Sequence, residues 1–159
     1  GYNADLYLPR AYYMLAFAYY RQAKYDDAMS TLDELERRYP ENDSVQVWTL
    51  RGDVNKEIGN RVQALQEYDE AWRFAGPMDR IRLETRVQSI LKEMSVDELT
   101  QAERLVSDPV LHQLTTKQLV AAGGSVIAAE DEAALADEST ALAAAPLDTS
   151  DGAAAPREA

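Results

Sequence analysis

Cysteine is absent from the 159 residues, which removes disulfides, thiolate metal sites and cysteine nucleophiles together. Histidine occurs once, as His112, too few for a multi-histidine metal site. It follows an Asp108-Pro109 break, where a surface or packing role outweighs catalysis. No apolar run approaches the ~20 residues that a bilayer span needs, and no stretch reads as a signal peptide. Direct membrane insertion is therefore not expected of this segment. The chain opens on Gly1 rather than Met, as a processed form or a fragment does, so any export signal is expected upstream. Basic residues are also in short supply, 16 against 28 acids, for a formal net charge of −12. From Ala128 to the end stand eight acids and one base, leaving 20 acids and 15 bases before it. Duplex nucleic acid needs clustered Lys and Arg to neutralise phosphates, so no nucleic-acid partner is expected.

Constellations for catalysis are missing as well. Paired acids occur at Asp26-Asp27, Glu34 with Glu36, Asp69-Glu70 and Glu130 to Glu132. Paired carboxylates could serve as acid and base in a glycosidase. Here they are expected on the solvated faces of amphipathic helices. The acids around Asp131 lack the loop glycine and alternating spacing of an EF-hand. Gly123-Gly124-Ser125 has neither the preceding strand nor the following Lys of a phosphate-binding loop, and reads as a helix stop. We expect no catalytic residues, no metal site and no cofactor.

What is present is a repeat. Tyr12-x2-Leu15-Ala16-x2-Tyr19, Ala28-x3-Leu32 and Pro40 lie over Trp48-x2-Arg51-Gly52-x2-Asn55, Ala64-x3-Tyr68 and Gly76-Pro77. The offset is 36 residues, with the extra length in the Glu41–Ser44 connection. Ala28, Leu32, Leu35 and Tyr39 step by four, three and four, as do Ala64, Tyr68, Ala71 and Ala75, so each set forms one stripe of a helix. Ala16 or Gly52 is expected to meet Ala28 or Ala64 where two antiparallel helices cross, with the large residues packed around the crossing. Turns are expected at Ala23-Lys24 and Gly59-Asn60, and a cap from Asn42, Asp43 or Ser44. Pro40 ends the first hairpin. Arg51 and Asn55 break the apolar pattern, and their helix is expected to bury Val47, Leu50, Val54 and Ile58 instead.

These residues resemble the tetratricopeptide repeat (TPR) family, whose pattern is W-x2-L-G-x2-Y, A-x3-F and P. The A-Y-Y-x-L-A-x-A-Y-Y opening at Ala11 and R-R-Y-P at Arg37 to Pro40 are similar to bacterial envelope TPR proteins. Among these are the outer-membrane assembly lipoprotein and the Tol–Pal-associated coordinator of division; the helix pair after the repeats, with Ser89-Ile90-Leu91 through Ser95-Val96-Asp97-Glu98-Leu99, is similar to the N-terminal region of penicillin-binding-protein activators. The resemblance spans about Ala11 to Leu105 and implies a periplasmic or envelope setting without fixing it. No lipobox Cys supports an anchor.

The expected fold is all-α: a short TPR-like superhelix of two hairpins plus a capping helix pair, with a disordered acidic Ala-rich C-terminal tail. The expected organisation is a lead-in over 1–8, repeats over 9–42 and 43–77, a capping pair over 78–107, short helices or linker over 108–127, and the tail from 128. The capping pair comprises a helix over Asp79 to Met94 and a shorter one to about Val106, opened by the capping-box residues Ser95 to Glu98. Val110 to Leu114 and Thr116 to Ala122 are expected as two short helices. The tail is too poor in large apolar residues to offset chain entropy.

The TPR resemblance further implies that the first helix of each repeat lines a concave surface. Arg10, Tyr13, Phe17, Tyr20 and Arg21 would come from the first repeat, and Gln46, Thr49, Asp53, Lys56 and Glu57 from the second. Rings flanked by Arg suit a peptide. The Lys/Asn clamp that holds chaperone C-terminal carboxylates in some TPR domains is not matched, since Tyr13 and Phe17 occupy its positions. The same aromatic helix could instead bury its second face against Tyr2, Leu6, Tyr7 and Leu8 or an earlier repeat. Arg73, Arg80, Arg82 and Arg86 form the one basic concentration, suited to an anion, an acidic peptide or the acidic tail. The expected function is a non-enzymatic scaffold for a protein or peptide partner, in a bacterial envelope assembly. The competing expectation is a structural or self-associating segment of a larger repeat protein.

Overall fold

The computed structural model describes residues 4–42 and 44–124, with side chains from Leu8 onward. Two units are distinguished, 1–122 and 123–159. The first holds seven helices: α1 (Ala4–Arg21), α2 (Tyr25–Arg38), α3 (Val45–Glu57), α4 (Arg61–Phe74), α5 (Pro77–Glu93), α6 (Val96–Leu105) and α7 (Pro109–Ala121). No strand occurs among the described residues, so the unit is all-α and TPR-like. Of the second unit only Gly123 and Gly124 are described, and the expected tail lies outside the described residues.

The 36-residue period seen in the sequence is also a period of the backbone. Helices α1 and α3 end 36 residues apart, at Arg21 and Glu57, and α2 and α4 span equivalent residues. Ala23 and Gly59 both take positive φ, 59° and 91°. Lys24 and Asn60 then open α2 and α4 with nearly the same dihedrals, −90°/72° and −87°/69°. Gly tolerates the left-handed conformation at Gly59, whereas Ala23 carries a Cβ that opposes it.

The crossings are close, as the small residues require. Ala16 and Ala28 are fully buried in the first hairpin and Ala64 in the second. At Gly52 an added Cβ would lie 2.4 Å from the nearest ring carbon of Tyr68. The glycine is thus set by the bulk of Tyr68, whose equivalent in the first hairpin is the smaller Leu32. Leu15, expected around the first crossing, is instead 46% exposed because it faces away from α2.

Helix α3 is buried on two sides. Val47, Leu50 and Val54 join the core of the first hairpin, while Ile58 lies beyond the last turn and is 44% exposed. Arg51 and Asn55 are buried polar residues with partners. Arg51 reaches Asp33 at 2.9 Å and Glu36 at 2.8 Å on α2, and Asn55 donates to Glu67 at 3.1 Å on α4. Burial raises the Glu67 carboxyl pKa above its ordinary value, against the lowering effect of Gln63 and Arg51.

A second core, from Leu65, Tyr68 and Trp72 to Leu111 and Leu119, joins α4 to α5, α6 and α7. Ser95 and Glu98 form the expected capping box. Helix α7 is one element, not two short helices. Asp108 accepts from Val110 and Leu111 at its start, Pro109 fits the first turn, and fully buried Thr115 turns its hydroxyl onto the Leu111 carbonyl at 2.8 Å. Gly123, at φ 89°, ends it. Asp69 was expected on a solvated face. It is 6% exposed, and its carboxylate accepts from the backbone of Ser107 at 2.9 Å and Asp108 at 3.0 Å, pinning the α6–α7 corner to α4. His112 meets the buried Glu103 at 3.0 Å, a packing role.

Candidate functional site

Helices α1, α3 and α5 border an open cleft of about 180 Å³. Tyr13 and Phe17 come from α1, and Val45, Gln46, Thr49, Leu50 and Asp53 from α3. Helix α5 adds Asp79, Arg82, Leu83 and Arg86. A second cleft of about 280 Å³ is lined by Tyr20, Asp53, Lys56, Glu57, Tyr68, Thr85, Arg86 and Ser89. Asp53 and Arg86 line both, so the two adjoin along α1, α3 and α5, with Tyr68 of α4 added in the second.

Asp53 is the hub. Its carboxylate accepts from the Tyr68 hydroxyl at 2.5 Å, in the lining of the second cleft, and from Arg86 Nε at 3.0 Å and a second guanidinium nitrogen at 3.2 Å. Burial and the adjacent Asp53 charge push the Tyr68 hydroxyl far above its ordinary pKa, so it stays a donor. Burial opposes the Arg86 charge, but Asp53 outweighs it and holds the guanidinium above its ordinary value. Tyr13 and Tyr20 are raised too, by burial first and then by Asp53.

One wall is aromatic. Ring centroids run 6.1 Å from Tyr13 to Phe17, 6.4 Å to Tyr20 and 6.0 Å on to Tyr25 of α2. Arg21 lies 5.9 Å over the Phe17 ring. Phe17 keeps 37% of its surface exposed, so the wall retains apolar area for another molecule.

Of the residues expected on the concave surface, Tyr13, Phe17, Gln46, Thr49 and Asp53 share the first cleft. Tyr20, Lys56 and Glu57 line the second. Arg10 and Arg21 line neither, and Arg21 sits against the wall through Phe17. Leu8 does not fold back over the aromatic helix, because it is part of α1 itself and is 42% exposed. The α5 wall was missed. Its signal was the basic concentration, which separates in the structure: Arg82 pairs with Asp79, Arg86 with Asp53 and Arg73 with Glu70, while Arg80 stacks 5.0 Å over Trp72. Among the described residues no cluster of three or more His, Cys, Asp or Glu could hold a metal, and no helix is long and apolar enough to cross a membrane.

Residues 10–42 match the family model of the tetratricopeptide repeat. The match and the helical hairpins support the TPR family. The matched segment covers α1 from Arg10 through α2, and the 36-residue backbone equivalence carries the motif onto α3 and α4. No curated protein and no solved structure matches the chain. TPR repeats generally mediate protein–protein contacts, and the TPR fold is typically a non-enzymatic scaffold.

Proposed function

We propose that the chain is a TPR interaction scaffold that holds an extended segment of a protein partner along the α1–α3–α5 cleft, within a bacterial envelope assembly. The observation that carries the cleft reading is the wall of half-buried Tyr13 and Tyr20 around exposed Phe17, facing a polar floor centred on Asp53. Rings supply contact area at low entropy cost, and Gln46, Thr49 and Lys56 supply hydrogen bonds to a peptide backbone. Arg82 and Arg86, already paired with Asp79 and Asp53, fix the polarity of the opposite wall without adding a large single-sign field. The envelope setting rests on sequence likeness alone, that of the first repeat and of the Ser89 to Leu99 stretch.

The test is affinity capture from source cells with wild type and a Tyr13→Ala/Phe17→Ala variant of verified helicity and melting temperature. A protein retained by wild type and lost by the folded variant supports the cleft. A catch unchanged by the variant moves the interaction to another surface.

A further inference from the structure

The internal repeat shows which faces of these helices are built to be covered. At an offset of 36, Ala11, Met14, Leu15 and Ala18 of α1 correspond to Val47, Leu50, Arg51 and Val54 of α3. In α3 those four residues are between 0 and 7% exposed, and α2 covers them. In α1 all four are exposed, Met14 by 56% and Leu15 by 46%, and Leu8 extends the stripe at 42%. The face of α1 that takes a helix elsewhere in this molecule is thus uncovered among the described residues.

The chemistry of the bare face selects its occupant. Arg51 of α3 requires Asp33 and Glu36 on the helix that covers it. Leu15 stands in its place on α1, and residues 11–20 include no charged side chain. A helix of the α2 type would bring two carboxylates against Leu15 with no cation to meet them. The fitting helix is uncharged and apolar, with small residues for close approach. Among the described helices α1 has that character between Arg10 and Arg21, through Met14 and Leu15 interleaved with Ala11 and Ala18. Exposed Met78 and Ile81 on α5 are flanked by Asp79, Arg80 and Arg82, and exposed Val110 and Val120 on α7 are separated by Gln113 and Lys117.

We infer that α1 docks on α1 of a second copy, in a two-fold dimer whose same patch serves both subunits. Tyr13, Phe17 and Tyr20 belong to the cleft side of α1, so the dimer does not rest on the cleft reading. The stripe from Leu8 to Ala18 runs about 15 Å. A single helix pair of this length is small beside the roughly 1,200 Å² of a standard stable complex, so the dimer is expected to be weak and reversible.

Sedimentation equilibrium of the full chain from about 5 µM to 1 mM reads this directly. Wild type is expected to pass from monomer to dimer. Leu15→Arg, which installs the residue α3 carries at this register, is expected to raise Kd at least about tenfold with the fold intact by circular dichroism. Met14→Glu is expected to do the same. Tyr13→Ala/Phe17→Ala is expected to leave Kd unchanged. A wild-type monomer at 1 mM overturns the proposal, as does a dimer indifferent to Leu15→Arg and Met14→Glu. So does a dimer abolished only by the cleft variant.

Discussion

The hairpins α1–α2 and α3–α4 carry one backbone on different side chains. Equivalent helices end 36 residues apart, and the turns share their dihedrals. The first hairpin crosses on Ala16 and Ala28 with Leu32 in the core, the second on Gly52 and Ala64 with Tyr68. The lesson is that the summed volume at the crossing is kept while its division between helices is free: the larger Tyr68 demands the smaller Gly52. The surroundings differ more. Asp33 of α2 and Asp69 of α4 are equivalent by register, but Asp33 lies on an exposed face and Asp69 is buried as the receptor for the α6–α7 corner. Among the described residues, one face of α1 is left uncovered, whereas α4 is covered by three further helices.

The comparison can be broken most sharply at those two aspartates. Asp69→Ala strands the Ser107 and Asp108 amides and is expected to cost about 2–3 kcal/mol in urea unfolding. Asp33→Ala removes one of two exposed partners of Arg51 and is expected to cost under about 1 kcal/mol. Equal costs would mean that the corner does not depend on Asp69.

Next in size is the crossing. Gly52→Ala drives a methyl into the Tyr68 ring and is expected to destabilise by about 2 kcal/mol despite the better helix propensity of Ala. Tyr68→Leu, which copies the first hairpin, should then cost less in the Gly52→Ala background than in wild type. Additive losses in that double-mutant cycle would show that the two positions do not share one volume.

The turns give a smaller, signed effect. Ala23→Gly relieves a positive φ and is expected to stabilise by about 1 kcal/mol, whereas Gly59→Ala is expected to destabilise by a similar amount. Thermal melts of the two variants should move in opposite directions.

The smallest effect is in pH. Glu67 stands where the first hairpin has Thr31, and its carboxyl pKa is raised in the folded state. The folded protein then holds the proton more tightly than the unfolded one. Stability is lost as pH rises from the ordinary carboxyl value through the raised one. Glu67→Gln is expected to stabilise slightly at pH 7 and to match wild type at pH 3.5. A gain of the same size at both pH values would contradict the raised pKa.

Much of the hairpin architecture could be read in the sequence, because small residues, apolar steps and turn residues repeat at one spacing. The capping box at Ser95 and Glu98 was equally legible, being a local exchange of two hydrogen bonds. What escaped depends on contacts distant along the chain. Asp69 looked solvated because its partners lie at Ser107 and Asp108. Helix α7 looked broken because nothing near Thr115 announces the burial that holds it in register. In the cleft, Tyr13, Phe17, Gln46, Thr49 and Asp53 were placed by the repeat register, whereas Arg82 and Arg86 lie on α5, to which the two-repeat register does not extend. Asp53 was read as a partner-binding residue only, and its bonds to Tyr68 and Arg86 give it a structural task as well.

The central claim, that the α1–α3–α5 cleft holds a protein partner, is tested most directly by site-specific photocrosslinking in source cells. A photoreactive residue is placed at Phe17, Thr49 or Arg82 in the cleft, and at exposed Ser30 or Gln113 outside it. The account predicts one common partner adduct from the three cleft positions and none from Ser30 or Gln113. Adducts from Ser30 or Gln113 with none from the cleft would contradict it.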